Sequence, residues 1–351
     1  MYIAAKGGEE AIQQSEHLYH LLNGELTIDT VRMIEKSMPY LVDRVMGEGS
    51  LYSPELAALA IAQTGGDLYE AVLLLRAYRA TQPRLAYAQP IEPGEVLTVR
   101  RISAAFKDIP GGQVLGPSLD YSHRLLKLDV LDGTREPQEA FQPAEQPAPP
   151  AYPPVAGWLR EQGLLAEAKA DATQAADIPD VTTENVLFPA PRPHRLQAMA
   201  RADTGGVLSL GYSIMRGYGL IHPTVNELRL GHAEVTLTHP VTGEKFSAGR
   251  VRVSQCEVVS PGGDEKGYAI GFAATLGWNE VKLIAASTLD LDMASQDGDG
   301  AKHPAHEEEF VMYHTEPVES SGFCIHFKLP HYVTFASGLD NIRKVIQATY
   351  G

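Results

Sequence analysis

The sequence predicts an α+β protein, with a helical N-terminal region followed by a mixed, strand-rich C-terminal region. Three observations carry this. Helix start and stop signals crowd into the first ninety residues. Alternating β-branched segments concentrate in the second half. Between them, residues 137–193 hold 11 of the 24 prolines. At about 150 residues per domain, 351 residues make two main units. The divisions are 1–136, helical with one strand and a Gly-rich loop; 137–193, a Pro-rich linker or surface excursion; and 194–351, a mixed region with a His-x4-His segment.

The elements follow in order. Residues 10–46 read as mostly helical, with a turn at Asn23-Gly24. Ser53-Pro54 starts a helix, with Ser as N-cap and Pro in the first turn, and Gly65-Gly66 ends it. Asp67 and Glu70 form a capping box for the next helix, where Leu68, Val72, Leu75 and Tyr78 share a face and Arg76 and Arg79 lie a turn apart. Val96–Ile102 alternates as a strand and leads into the Gly/Pro-rich loop 107–117. A short helix is expected near Trp158–Ala170. Beyond it, strands are expected over Glu234–Thr238, Arg250–Val259, Tyr268–Thr275 and Phe323–Leu329, with a hairpin turn at Val241-Thr242-Gly243-Glu244. Asn279 caps a helix over Glu280–Leu289, and Leu339–Tyr350 forms a terminal helix.

Composition narrows the function. With 29 Lys+Arg against 44 Asp+Glu the net charge is −15. That argues against a nucleic-acid binder and against attraction to anionic lipid. There is no signal-peptide pattern and no apolar run long enough for a membrane span. Cys256 and Cys324 build no disulfide framework, so a cytoplasmic protein is expected. Two islands reverse the charge. Residues 76–127 carry eight basic side chains against four acidic ones, and residues 192–216 carry four arginines against Asp203. Such islands suit a pocket for a small polyanion, or are ordinary solvated helix faces.

No phosphate loop of the Gly-x-x-x-x-Gly-Lys type, dinucleotide fingerprint, nucleophile elbow or Cys-x-x-Cys is present. The loop Lys107-Asp108-Ile109-Pro110-Gly111-Gly112 is either an anion cradle of backbone N–H groups or a plain turn. His123, with Asp120 and Tyr121, combines a proton shuttle with a carboxylate, or forms a satisfied polar cluster. His326 and His331 flank Phe327–Pro330 at an expected strand end and suit Zn²⁺ as a partial ligand set. Cys324, two residues away on that strand, would add a thiolate; the alternative is a pair of hydrogen-bonded histidines. His222 and His232 bracket Asn226, Glu227 and Arg229 without a diagnostic spacing. His303 and His306 fall in the polar loop 294–309 and are expected to be solvated.

Taken together, several blocks resemble the PhnI family, a core subunit of bacterial carbon–phosphorus lyase. They are Met1–Glu9, Leu74-Leu75-Arg76-Ala77-Tyr78-Arg79, Arg100–Gln113, Asp120-Tyr121-Ser122-His123-Arg124-Leu125-Leu126, Arg216-Gly217-Tyr218-Gly219 and His326-Phe327-Lys328-Leu329-Pro330-His331-Tyr332. The blocks span nearly the whole chain, and the Pro-rich 137–193 stretch departs most. The resemblance implies a transferase subunit that, with its sister subunits, displaces adenine from MgATP by an alkylphosphonate. The product is ribose 1-alkylphosphonate 5-triphosphate. It also implies nucleosidase activity on ATP or GTP for the subunit alone. The implied partners are the core subunits PhnG, PhnH and PhnJ, with PhnK and PhnL associated, and contact with a radical S-adenosylmethionine subunit is implied. Zn²⁺ is implied at His326 and His331, and Mg²⁺ with the ATP substrate; Cys324 is outside the family pattern.

That chemistry needs cations for a triphosphate, which Arg76, Arg79, Arg100, Arg101, Lys107 and the backbone of Gly111-Gly112 would supply. It also needs a carboxylate for the cationic sugar, Asp108 or Asp120, and a proton for the departing base, from His123. A non-catalytic scaffold that supplies zinc ligands and docking surfaces is the alternative. A generic metal-dependent hydrolase is a third reading.

Overall fold

The computed structural model describes residues 8–135, 152–166, 178, 180–218, 222–261, 267–295 and 301–350. The block Met1–Glu9 and the block ending at Gly219 are therefore only partly within the described residues.

Five helices open the chain: α1 (Gly8–Asn23), α2 (Ile28–Ser37), α3 (Pro39–Gly49), α4 (Pro54–Gln63) and α5 (Leu68–Ala80). Their ends follow the local chemistry. Ser53 Oγ accepts the Leu56 amide at 3.3 Å, and Asp67 Oδ1 accepts those of Tyr69 and Glu70 at 3.1 and 3.3 Å. Gly65 and Gly66 take the left-handed φ values of 62° and 89° that close α4. Val42, Val45, Met46, Ala57, Ile61, Val72 and Leu75 form the core of this lobe. By contrast, α1 buries no residue.

Four antiparallel strands form one sheet in the order β1 (Leu97–Ile102), β2 (Thr224–Thr238), β3 (Lys245–Pro261) and β4 (Tyr268–Leu276). β1 precedes the Pro-rich stretch and β2 follows it, so a single sheet joins the two regions. Glu227 pairs with Glu257 and Leu228 with Cys256, so each pair shares a face. On the Leu228 face lies α9 (Glu280–Ala294), whose Leu283, Ala286 and Leu289 pack with Val258 and Ala273. Gly271 is required there, because a Cβ would run into the Ser287 carbonyl of α9. The opposite face is polar and is covered by residues 152–154 and α6 (Val155–Glu161). The far ends of β2 and β3 leave the body as an exposed hairpin, turned at Gly243 with φ 73°.

α7 (Arg192–Arg201), α8 (Thr204–Ser213), α10 (Glu308–Thr315) and α11 (Pro317–His326) complete the α9 side, and α12 (Tyr332–Tyr350) ends the described chain with no buried residue. The lobes are latched by polar contacts. Arg44 bridges Glu48 and Asp203 at 2.9 and 3.0 Å, and Arg252 meets Asp43 at 2.7 Å.

Three local expectations change. The strand expected over Phe323–Leu329 is instead the last turn of α11, to His326, followed by a turn. Glu316 caps the helix, accepting the amides of Val318 and Glu319 at 2.8 and 3.0 Å, and Pro317 opens it. This start signal outweighs the alternating Phe323, Ile325 and Phe327. Cys324 consequently leaves the face of His326, because two residues on a helix turn through about 200°. The helix expected near Trp158–Ala170 begins earlier and ends at Glu161, with residues 167–170 outside the described chain. Finally, His303 and His306 are buried, at 5% and 6% exposure, rather than solvated.

Candidate functional site

The turn between α11 and α12 brings His326 and His331 together. Their Nε2 atoms lie 3.2 Å apart, and His331 Nδ1 sits 2.6 Å from the Leu329 carbonyl. The carbonyl can only accept, so the Nδ1 proton is fixed and the His331 Nε2 lone pair faces its partner. Zn–N bonds of about 2.0–2.1 Å at a tetrahedral angle separate two ligand nitrogens by about 3.3 Å. The pair fits a metal's bite without rearrangement. Both rings are exposed, so further ligands must come from outside the pair. Beside them, a cavity of about 370 Å³ is lined by His331, Thr334, Phe335, Gly338, Leu339 and Ile342.

Around β1, the expected phosphate ligands divide into two groups. Arg100 and Arg101 are fully buried. Arg100 reaches Leu115 O at 2.5 Å, Asp120 Oδ2 at 2.6 Å and Glu280 Oε1 at 2.6 Å. Arg101 reaches Glu227 Oε1 at 2.6 Å, Pro110 O and Gly112 O at 2.7 and 2.8 Å, and Pro153 O at 2.8 Å. Both guanidinium groups are thus buried and spend these donors on the protein itself, rather than facing solvent as a cationic patch would. Both instead hold what is exposed. Arg101 grips the carbonyls of the Gly111-Gly112 turn, where both glycines have left-handed φ, 81° and 78°. Arg100 and Arg124 hold the two oxygens of Asp120, whose side chain stays 45% exposed. Lys107, Asp108, Gly111, Gly112 and His123 all face solvent.

Arg76 and Arg79 belong elsewhere. Arg76 donates to Glu48 O at 2.8 Å and Arg201 O at 3.0 Å, and pairs with Glu316; Arg79 contacts Thr182. Arg76 and Arg201 line a cavity of about 700 Å³ with Phe188, Met312, Tyr313 and Glu316. Burial, then the nearby Arg76 charge, pulls Arg201 down to about 10. This cavity sits at the N-terminal end of α11 and His326 at the C-terminal end, about 15 Å away for ten residues rising about 1.5 Å each. His222 is exposed, while His232 stacks edge-on against Trp278 at 5.6 Å, its pKa lowered by burial and then by Arg252.

Two groupings escape sequence reasoning. Under α6, Glu227 Oε1 takes Arg229 Nη2 as well as Arg101 Nε, each at 2.6 Å, while Oε2 accepts the Val155 amide at 3.0 Å. Burial, then Glu227, pushes the neighbouring Glu257 up to about 7. In α9 and the following loop, Asp292 meets His306 at 3.1 Å and His303 at 3.4 Å. Burial pushes Asp292 up to about 6 against the pull of His306. The spacing His303-x-x-His306 was the available signal, masked by the acidic, Gly-containing loop around it.

These features define an α+β protein that presents a paired-histidine metal bite beside an Arg-anchored, Gly-rich loop and an exposed carboxylate. Residues 1–349 match the family described as bacterial phosphonate metabolism protein (PhnI), and the chain belongs to that family. A putative C-P lyase subunit protein, HtxH, of Stutzerimonas stutzeri is 44% identical over 97% of this chain and 95% of its own length. The alpha-D-ribose 1-methylphosphonate 5-triphosphate synthase subunit PhnI of Escherichia coli K12 is 39% identical over 99% of both chains. The subunit of the same name from Rhizobium meliloti is 38% identical over 98% of this chain and 95% of its own length.

Proposed function

We propose that this chain is a subunit of a cytoplasmic carbon–phosphorus lyase complex, with partners of the PhnG, PhnH and PhnJ types and with PhnK and PhnL associated. Within it, the chain takes part in displacing adenine from MgATP by an alkylphosphonate. The observation that carries the reading, beside the family, is the His326–His331 pair. It is a preformed but incomplete ligand set on an exposed surface, suited to completion by substrate or a partner chain. Zinc bound there would supply positive charge to phosphate or phosphonate oxygens.

The remaining work falls to this chain's own side chains. A phosphonate oxygen forms a bond to C1′ as the bond from C1′ to the base nitrogen breaks, and that electron pair leaves with adenine, which takes up a proton. The sugar becomes cationic in the transition state. Asp120, held on both oxygens by Arg100 and Arg124, is a pre-oriented negative charge for it. Asp108 is the second carboxylate on the same loop system. His123 faces solvent and would hand the proton to the base. Lys107 and the Gly111 backbone are the exposed donors for the triphosphate, with Arg100 and Arg101 as positioning residues beneath them; the Gly112 amide, expected to share that task, instead closes the turn on the Ile109 carbonyl at 2.8 Å. Arg76 would serve a nucleotide by way of the 700 Å³ cavity that it lines, and Arg79, a turn further along α5, lies outside that lining.

The scaffold reading draws on a different observation. α1 and α12 bury nothing and expose Leu21, Leu22, Phe335, Ile342 and Ile346, surfaces that fit partner subunits. Adenine release from ATP separates the two. The isolated chain should release adenine from ATP or GTP above background, and the reconstituted complex should release it in a phosphonate-dependent way. Release that is unchanged by Asp120→Asn and absent from the isolated chain would leave only the scaffold.

A further inference from the structure

Among the described residues, one cluster combines three metal-ligating side chains outside the surface pair: Asp292, His303 and His306. Asp292 stands near the end of α9, and the two histidines flank Pro304-Ala305 in the turn that leads to α10. All three are buried, at 0%, 5% and 6% exposure. The rings are nearly stacked, with centroids 3.9 Å apart and a tilt of 33°. Each ring turns its Nε2 to a different oxygen of the same carboxylate, His306 to Oδ1 at 3.1 Å and His303 to Oδ2 at 3.4 Å. One ligand atom from each residue lies within 4.8 Å of the others.

We propose that Asp292, His303 and His306 form a second, buried zinc site that fastens the end of α9 to the segment entering α10. Two imidazoles and one carboxylate suit zinc better than magnesium or calcium, which prefer all-oxygen shells. Three protein ligands leave one place for a water. The distances from the rings to the carboxylate oxygens, 3.1 and 3.4 Å, bracket the spacing of about 3.3 Å between ligands of a tetrahedral zinc. None of the three residues lines either cavity described above, so the ion's role is to hold the fold and not to meet substrate.

The protons balance in a definite way. The Lys302 amide donates to His306 Nδ1 at 3.2 Å, so the ring proton sits on Nε2 and is donated to Asp292. Zinc takes the place of that proton. The proton moves to Nδ1, and the 3.2 Å contact with Lys302 is given up. The buried cluster is separate from His326 and His331, so zinc at this cluster is read with that surface pair removed.

The full-length chain carrying His326→Ala and His331→Ala should be loaded with zinc, freed of excess, and analysed for metal by mass spectrometry. Both replacements are at exposed positions, so folding is retained. The expected result is about one zinc per chain, lost on adding His303→Gln or Asp292→Asn. A folded His326→Ala/His331→Ala chain that holds no zinc overturns the proposal. Should the added replacement unfold the protein, X-ray absorption of the zinc-loaded His326→Ala/His331→Ala chain decides instead. Two imidazoles with oxygen support the site, and sulfur or a single imidazole overturns it.

Discussion

Replacing Glu227 by Gln should cost this protein more than most single changes could. Glu227 is fully buried and, among the described residues, is the one carboxylate in contact with two fully buried guanidinium groups, Arg101 and Arg229. Four hydrogen bonds converge on it: Arg101 Nε at 2.6 Å, Arg229 Nε and Nη2 at 3.1 and 2.6 Å, and the Val155 amide at 3.0 Å. Gln keeps the shape but removes the negative charge that both buried cations face. Breaking a buried ion pair from one side costs about 3–5 kcal/mol. With a urea dependence of about 3 kcal/mol per M for a chain of this size, the unfolding midpoint should fall by about 1–1.7 M. Asp340→Asn, at an exposed pair with Arg343, should move it by less than about 0.3 M. Because Arg101 also holds Pro110 O and Gly112 O, protease cleavage in the loop 107–117 should rise together with the loss of stability. A Glu227→Gln midpoint within about 0.3 M of the parent would refute the claim that this carboxylate anchors the sheet's polar face.

Further outcomes follow from the same physics. Glu257 is raised to about 7 in the fold by burial and by Glu227, against an ordinary value of 4.5. Folding therefore holds an extra proton between those values, and its contribution, present at low pH, is lost as pH rises through about 7. Urea midpoints of the parent should fall between pH 5 and 7.5 more than those of Glu257→Gln; parallel slopes would contradict this. Lys282 is lowered to about 8 by burial, so the folded state sheds its proton before the unfolded chain does, and stability tied to it should grow from about pH 8 upward. Lys282→Met should abolish that rise in a pH series of melting temperatures. Leu289→Ala, in the fully buried centre of α9, should cost about 2–5 kcal/mol in urea unfolding. Asp120→Asn should slow adenine release by the assembled complex while costing far less stability than Glu227→Gln, because Asp120 is 45% exposed and buried Arg100 keeps Glu280.

Local chemistry was readable where a residue speaks to its own neighbourhood. Ser53, Asp67 and Asn279 each cap the helix their spacing promises, and Gly243 turns the β2–β3 hairpin. Local pattern misled where two signals competed. Phe323, Ile325 and Phe327 alternate like a strand, yet Glu316 and Pro317 start a helix that runs through the first two and is capped at the third. Long-range partners were beyond reach. Arg100 and Arg101 look like a cationic patch until Glu227, 126 residues on, and Glu280 occupy them. The histidines divided in the same way. His326 and His331 meet through a short turn, whereas His303 and His306 needed Asp292, at the end of a helix whose burial no neighbour reports.

Formation of ribose 1-methylphosphonate 5-triphosphate from MgATP and methylphosphonate, followed by phosphorus NMR in the reconstituted complex, tests the central claim most directly. The parent chain should give product together with free adenine. His326→Ala and His331→Ala should assemble normally, lose the surface zinc and give little product. Product at the parent rate from an assembled His326→Ala complex would contradict the account.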